Sequence, residues 1–408
     1  MNILFLSDNF PPESNAPASR LFDHARAWVR KGHRVTVVTC APNFPEGKVF
    51  EGYHNRWYSV EWLEGIRVVR VKSYITANEG FARRSLDYAS FMVSGYLAGL
   101  LQERPDVIVA TSPQFFCAVG GWALAASRRL PFVFELRDLW PASIVAVGAM
   151  RESPVIQALE KLELFLYRRA DKIVAVTEAF REDLQARGID PRKIEVVRNG
   201  VDLSSCIPRK RDAALEKEYR LEGKFVAGYL GTHGMAHGLM SIVDAAERLR
   251  ERESIAFFFA GSGAERVRVE EEVKRRGLDN VRMIPRQPKE RVSALWSLCD
   301  VALIPLRNDP LFCTVIPSKL FEAMGYGIPV IASLPEGETT EIVRKEGCGL
   351  VIEAENPGLL ARSLERLATS PQECARLSAA ALRAAPRYSR ENQATRMERI
   401  LLELAKSP

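Results

Sequence analysis

The sequence predicts an α/β protein made of two doubly wound domains, each with a parallel sheet covered on both faces. Three observations carry this expectation. Apolar runs alternate with helical periodicity along the whole chain. The strand-like runs are nearly continuous in Val and Ile, as in strands buried on both faces. The alternation breaks once, at the turn Asn199-Gly200-Val201-Asp202 and the polar, basic stretch that ends in Arg209-Lys210-Arg211-Asp212, which reads as a linker. With 408 residues, 47% of them hydrophobic, the chain is long enough for two full cores.

The first domain is expected over 1–203, with strands at 2–6, 34–39, 67–71, 107–110, 132–135, 173–176 and 194–197. Helices should lie near 17–31, 85–103, 115–129 and 154–170. The second domain is expected over 204–388, with strands near 225–231, 256–260, 281–284, 301–305, 329–332 and 349–352. Its helices include 241–251, 265–276, 290–298 and 338–346. A last helix near 390–406, within the tail 389–408, has no strand after it and could pack back on the first domain.

Composition narrows the function classes. The net charge is +6, from 57 basic and 51 acidic residues. That mild excess permits an anionic ligand or membrane surface, and no basic run interleaved with aromatics marks a nucleic-acid face. The seven cysteines form no C-x-x-C pair, which argues against a disulfide framework or zinc site and for a reducing cytoplasm. The N-terminus reads as a strand rather than a signal peptide, and no apolar stretch reaches the roughly 18 residues a membrane span needs.

In doubly wound sheets, ligands bind beyond the carboxyl ends of the strands, and with two such sheets the cleft between them is the expected site. The most informative strand-end segment is Pro317-Ser318-Lys319-Leu320-Phe321-Glu322, followed by Ala323-Met324-Gly325-Tyr326-Gly327-Ile328-Pro329. Pro317 and Ser318 start a helix whose free amides and dipole favour a phosphate. Lys319 sits in its first turn, and Glu322 lies about 5–6 Å further along. Amides and cation could hold a diphosphate, and the carboxylate could hold ribose hydroxyls. The plainer reading is an ordinary helix with solvated charges.

Other strand ends carry polar or glycine-rich segments. Ser7 to Pro17 is a long polar loop without G-x-G-x-x-G. Glu135, Arg137 and Asp138 end a buried strand and must be paired or lie at a cleft mouth. Gly228-Tyr229-Leu230-Gly231-Thr232-His233-Gly234, continuing to His237, lets a backbone approach a ligand closely. Its two histidines lack further ligands at metal spacing. Gly261-Ser262-Gly263 follows a strand, and so do Pro285 and Arg286. Capping loops, a structural ion pair and plain turns are the competing readings. Residues 89–101 are strongly apolar and follow Arg83-Arg84, which fits either a core helix or a membrane-facing patch.

Together these segments resemble family 4 of the retaining glycosyltransferases, which have the GT-B fold. The likeness covers nearly the whole chain. Its marks in order are the N-terminal loop, GHRVTVVT at 32–39, VVRNGVD at 196–202, GYLGTHG, FAGSG and PSKLFEAMGYGIPVI. The stretch APNFPEGKVFEGY at 41–53 resembles a bacterial surface-polysaccharide branch often labelled as N-acetyl-fucosaminyl transferases. The resemblance implies a cytoplasmic enzyme, with the inner face of the membrane as a further expected station, that uses neither metal nor cofactor. It would move a sugar, an N-acetylated amino sugar in this branch, from a UDP-sugar to a glycan or lipid-linked acceptor. It places the acceptor on the first domain and the donor on the second. Donor contacts would come from Asn15, Gly231, Thr232, His233, His237, Gly261, Arg286, Thr314, Pro317, Ser318, Lys319, Leu320 and Glu322. Asp138, Arg137 and Lys319 would act in catalysis.

Four positions depart from the family pattern. Thr314 stands where the first glutamate of E-x7-E is usual, and Thr232 and His237 stand where an Arg and a Lys are usual. Arg137 stands where a histidine often precedes Asp138. A compensating cation is therefore expected, Lys319 first and Arg137 second, with His237 a further candidate. A nucleotide-sugar epimerase of the same architecture and a non-catalytic nucleotide-sugar-binding protein are the alternatives.

Overall fold

The structure, a computed structural model, describes residues 1–406 except 14, 45, 77–80, 113 and 140–152. Ser14 of the N-terminal loop, and Trp140 and Pro141 after the Glu135 strand, lie outside the described residues. The chain divides into two units, Met1–Asn199 with Arg390–Pro408, and Gly200–Ser389.

The first unit carries β1 Asn2–Leu6, α1 Ala16–Arg30, β2 Arg34–Cys40, β3 Tyr58–Leu63, β4 Ile66–Val71, α2 Phe81–Leu100 and β5 Val107–Thr111. It continues through α3 Phe115–Arg128, β6 Phe132–Leu136, α4 Pro154–Arg169, β7 Lys172–Ala175, α5 Glu178–Ala186 and β8 Ile194–Val196. The strands form one sheet in the order β3-β4-β2-β1-β5-β6-β7-β8. All neighbours are parallel except β3 and β4. The sequence reading had no strand at 58–63 and expected a wholly parallel sheet. Edge strand β3 corrects both points. Its period-two row Tyr58, Val60, Trp62 is exposed rather than buried, so it lacks the continuous apolar run that marked the other strands.

Alternation along the central strands feeds two cores. Leu4 and Leu6 point to the face that packs Phe91 of α2 and Phe115 of α3. Ile3 and Phe5 point to the face that packs Leu21 and Trp28 of α1. Local signals set the helix starts. Asn15 Oδ1 accepts from Ala18 N at 3.0 Å before α1, and Thr177 Oγ1 accepts from Phe180 N at 3.1 Å before α5.

The second unit carries α6 Ala213–Glu218, β9 Phe225–Leu230, α7 Met240–Arg248, β10 Ile255–Ala260, α8 Arg266–Arg276, β11 Val281–Ile284 and α9 Lys289–Trp296. It continues through β12 Val301–Pro305, α10 Ser318–Tyr326, β13 Val330–Ser333, α11 Glu338–Glu346, β14 Gly349–Ile352, α12 Pro357–Ala368 and α13 Pro371–Ala384. Its parallel sheet runs β11-β10-β9-β12-β13-β14, with an apolar core on each face. The two doubly wound parallel-sheet domains expected from the sequence are thus present, the first with its antiparallel edge.

The last helix, α14 Arg390–Ala405, belongs to the first unit and lies on α1. Met397, Ile400 and Leu401 join the core beneath it, and Trp28 Nε1 donates to the Ala394 carbonyl at 2.9 Å. Glu398 receives Lys31 and meets His33 Nε2 at 2.8 Å, and Arg390 pairs with Asp23.

One buried charge pair fixes the carboxyl ends of the first sheet. Arg20 of α1 meets Glu135 of β6 at 2.9 Å, both side chains almost fully buried. The same guanidinium donates to the carbonyls of Val197 at 2.8 Å and Arg198 at 2.6 Å. Removing it takes the ion-pair partner from a buried carboxylate and the donor from two carbonyls, a loss of about 3–5 kcal/mol. Arg20→Ala is therefore expected to lower urea stability by that amount. Arg20→Met with Glu135→Leu should recover much of it, and equal stability of Arg20→Ala and the parent would refute the assignment.

Candidate functional site

The second unit gathers most of the sequence-marked residues at the carboxyl ends of β9 and β10 and the start of α10. Gly231 N donates to Ala260 O at 2.8 Å, and His233 N donates to Ser262 O at 2.9 Å, so the two loops continue the pairing of their strands. The approach is too close for side chains. A Cβ on Gly261, whose φ is +151°, would lie 1.9 Å from the Gly231 carbonyl oxygen. Arg266 holds the next strand end by donating to the carbonyls of Gly261 at 2.9 Å and Ile284 at 2.7 Å.

Helix α10 begins at Ser318 with Pro317 as its cap and no side-chain cap bond. The first bond at this end runs from Leu320 N to Pro317 O at 3.1 Å. The amides of Ser318 and Lys319 have no acceptor among the described residues. Such a helix start carries a partial positive charge and free donors, as an anion site does. Ser318 is exposed, while Leu320 is buried and anchors the turn from below.

Lys319 crosses from that helix to the glycine loop. Its Nζ stands 3.9 Å from the centre of the Tyr229 ring. A Cβ on Gly231 would come within 2.4 Å of Lys319 Cε, so glycine there makes room for the lysine. Among the described residues Lys319 forms no ion pair. Burial pushes its ammonium down to about 7, against the opposing pull of Glu322. Tyr229 also donates its hydroxyl to the Thr232 carbonyl, which ties the exposed Thr232 to the strand end.

Both histidines of the glycine segment are shifted by their surroundings. Burial pushes His233 to about 4, helped by Arg266 and Lys319, and its ring nitrogens have no partner among the described residues. Burial also pushes His237 to about 4, with Lys319 adding to the effect. Its Nδ1 lies 3.3 Å from the Gly234 carbonyl oxygen. Both are thus held well below the ordinary imidazole range before any ligand binds, which disfavours His237 as a source of positive charge there.

Glu322 lies half-buried one turn beyond Lys319. Thr314, at the departed position, turns its hydroxyl to the Leu311 carbonyl at 2.9 Å. Arg286 is exposed just after β11. Two residues at this site were missed in the sequence. Tyr229 stood inside a glycine segment without being singled out, and Arg266 lay unremarked within the helix expected at 265–276. The glycines on either side of Tyr229 are the mark that could have singled it out.

The remaining candidates belong to the first unit. Asn15 is committed to the loop, capping α1 through Oδ1 and donating through Nδ2 to Asn9 Oδ1. Asp8, after β1, is pushed by burial up to about 6. Burial works against the charge on Glu135, yet Arg20 and Arg137 outweigh it and hold the carboxyl below its usual range. Arg137 is half-buried, and its backbone N donates to Ser112 Oγ at 2.7 Å. Burial pushes its guanidinium down to about 10, opposed by Glu135. Asp138 is half-buried beside it. All seven cysteines are free, and no metal-holding group occurs among the described residues.

Comparison with known proteins gives this geometry a context. A profile described as Glycosyltransferase Family 4 matches residues 18–205, and one described as Glycosyl transferases group 1 matches residues 210–384. The chain is 26% identical over 337 residues to WcaI of Escherichia coli K12, a glycosyl transferase whose name assigns it to colanic acid biosynthesis. That match covers 80% of this chain and 82% of WcaI. Sucrose-phosphate synthase from Thermosynechococcus elongatus has the same fold, with TM-score 0.78, 17% identity and coverage of 99% and 98% of the two chains. Anabaena HepE, solved in complex with UDP-glucose, matches with TM-score 0.71, 19% identity and coverage of 99% and 100%.

The unpaired ammonium has a consequence for stability. In the unfolded chain Lys319 titrates near ~10.4, and in the folded chain near about 7. Between these values the unfolded state holds the extra proton, so the penalty is full below about pH 7 and shrinks as pH rises. Lys319→Met is expected to melt higher than the parent without ligand, with the largest gain below about pH 7. Thermal melts across pH check this, and a gain that grows toward alkaline pH would contradict it.

Proposed function

For a GT-B chain made of a Family 4 and a group 1 glycosyltransferase domain, we propose that it is a retaining, metal-independent transferase. It moves a sugar from a UDP-sugar to a glycan or lipid-linked acceptor. The pathway proposed is bacterial surface-polysaccharide assembly, in line with the name of WcaI. The sugar proposed is an N-acetylated amino sugar. The nucleotide sugar is a substrate, no cofactor takes part, and the enzyme works in the cytoplasm at the inner membrane face. A fold neighbour solved with UDP-glucose supports the donor class. Two transferase domains favour transfer over epimerisation or binding alone.

The observation that carries the reading is the uncapped start of α10 with Lys319 laid against Tyr229 and Gly231. The amides of Ser318 and Lys319 take the donor's diphosphate, and the Lys319 ammonium neutralises it as the sugar leaves. Glu322 holds the ribose hydroxyls, and the Gly231 and Gly261 loops allow close backbone approach. Arg286 lies where the base is read, and Arg137 and Asp138 serve the acceptor. The bond from the anomeric carbon to the diphosphate oxygen breaks. The acceptor oxygen bonds to the same face, and its proton passes to the departing phosphate. Positioning and charge neutralisation then supply most of the rate.

The first test is a donor screen by thermal shift, followed by transfer assays with the donor that binds. UDP-sugars should raise the melting temperature, and a screen in which no UDP compound does so would overturn the reading. Lys319→Ala should lower kcat at saturating donor by about 10²–10³, or roughly 3–4 kcal/mol. Near-normal turnover would remove Lys319 from its role. Glu322→Gln should mainly raise the donor KM, with weaker binding by about 1.5–3 kcal/mol.

The pH profile offers an independent check. The free enzyme needs the Lys319 ammonium to attract the diphosphate. Donor kcat/KM is therefore expected to fall as pH rises through about 7. Bound diphosphate favours the charged form, so kcat should hold to higher pH. Identical pH profiles in Lys319→Arg, which keeps its charge, would count against the assignment.

A further inference from the structure

The first unit exposes an apolar face that the donor site does not use. Helix α2 has two apolar stripes. The inner one packs Phe91 and Ala98 into the core, and Gly99 lets the Leu124 side chain close in. The outer one, Leu86, Val93, Leu97 and Leu101, stays exposed, with Leu101 75% exposed. The spacing of these four residues follows one helix face. The segment therefore buries one stripe in the core and exposes the other.

Edge strand β3 extends the exposed face. Tyr58 pairs with Val71, Val60 with Val69, and Trp62 with Arg67. Val69 and Val71 belong to the core on the α2 side of the sheet, so the row Tyr58, Val60, Trp62 turns to that side. Trp62 is 69% exposed, and Trp57, just before the strand, is 78% exposed. Between strand and helix runs a groove of about 730 Å³ lined by Trp57, Tyr58, Tyr74, Val93, Leu97 and Leu101, among others. An exposed apolar face of this extent marks an interaction surface.

The charges around it select the partner. Lys72 lines the groove with its ammonium 4.5 Å from the Trp57 ring centre. Arg56 precedes Trp57, Arg83 lies in the first turn of α2, and Arg104 follows its end, all exposed. Among the described residues these four cations form no ion pair. The nearby acids are engaged: Glu61 with Arg70 at 2.7 Å and Glu103 with Arg34 at 3.4 Å. Exposed tryptophans beside aliphatics, rimmed by free cations, match the interface of an anionic bilayer. A second copy of the chain would bring the same cations against themselves.

We infer that the face formed by β3 and the outer stripe of α2 docks this enzyme on a bilayer that contains anionic lipid. Trp57, Trp62, Leu97 and Leu101 enter the headgroup boundary, and Arg56 and Lys72 meet lipid phosphates. The inference deepens the proposed station at the inner membrane face, and its test needs neither donor nor transfer, so it and the donor reading can fail separately.

The experiment is flotation of the full chain with vesicles of phosphatidylcholine alone or doped with phosphatidylglycerol. The parent should float with the doped vesicles, weakly with the neutral ones, and less as salt rises. Trp57→Ser with Trp62→Ser and Leu101→Ser should lower the bound fraction about tenfold or more. Arg56→Glu with Lys72→Glu should abolish the preference for anionic lipid. Unchanged circular dichroism in each variant would show that the fold is kept. No flotation of the parent, or equal flotation of the triple variant, would overturn the inference. So would a parent that sediments as a dimer, fails to float and becomes a monomer on the triple substitution, since the face would then belong to a second copy.

Discussion

An ammonium that is half-buried and forms no ion pair among the described residues governs the second unit's candidate site. Lys319 finds an aromatic face at 3.9 Å where water or an anion would otherwise be. Every neighbouring peculiarity follows from keeping it there. Gly231 must lack a side chain to admit it, and Gly261 must lack one to let the adjoining loop pass the Gly231 carbonyl. Tyr229 must sit at the end of β9 to face it, with its hydroxyl spent on the loop rather than on the lysine. Beside it, burial and then neighbouring positive charge hold both histidines below the ordinary imidazole range.

The first unit solves the same problem in the opposite way. One of its charge pairs at the strand ends is buried and saturated: Arg20 spends itself on Glu135 and on two carbonyls near Val197. Glu13 likewise accepts from the amides of Asn43 and Phe44, each at 2.8 Å, which holds the loop after β2 to the loop after β1. Such saturated groups hold loops in place and have little capacity left for a ligand. Asn15 belongs with them, since its two amide atoms are already committed within its own loop. The contrast between saturated and unsaturated polar groups is the physical reason to look for anion binding in the second unit.

Much of the fold was legible because buried parallel strands must be apolar on both faces, and Val107–Thr111 or Val301–Pro305 could hardly be anything else. Strand β3 was not legible in that way, since it is an edge whose apolar row faces outward. The start of α10 was legible because Pro, Ser and Lys in sequence have a local meaning at a helix end. What Lys319 faces was not, because Tyr229 and Gly231 lie about ninety positions away and meet it only through the sheet order β9-β12-β13. The charge state of His237 was hidden for the same reason. Its burial and the nearness of Lys319 are tertiary facts, and a histidine near a glycine turn carries no local sign of either.

The choice of lysine over arginine at position 319 follows from that energetics. Arginine stays charged in almost any surroundings, so an empty, partly dry site would carry its full desolvation penalty at all times. Lysine can shed its proton when the site is empty and regain it when an anion arrives. A folded pKa of about 7 places that exchange near neutrality. A dianionic ligand at the start of α10 would restore the ammonium by supplying the partner that the protein withholds. The attraction lost on folding is thus available again on binding, where it discriminates for phosphate rather than for any polar guest. The resemblance implies that related enzymes spread this charge over two cations in the glycine loop. Here Thr232 and a His237 held below the ordinary imidazole range occupy those places, so one lysine approaching from the helix side has to answer the diphosphate with the helix amides.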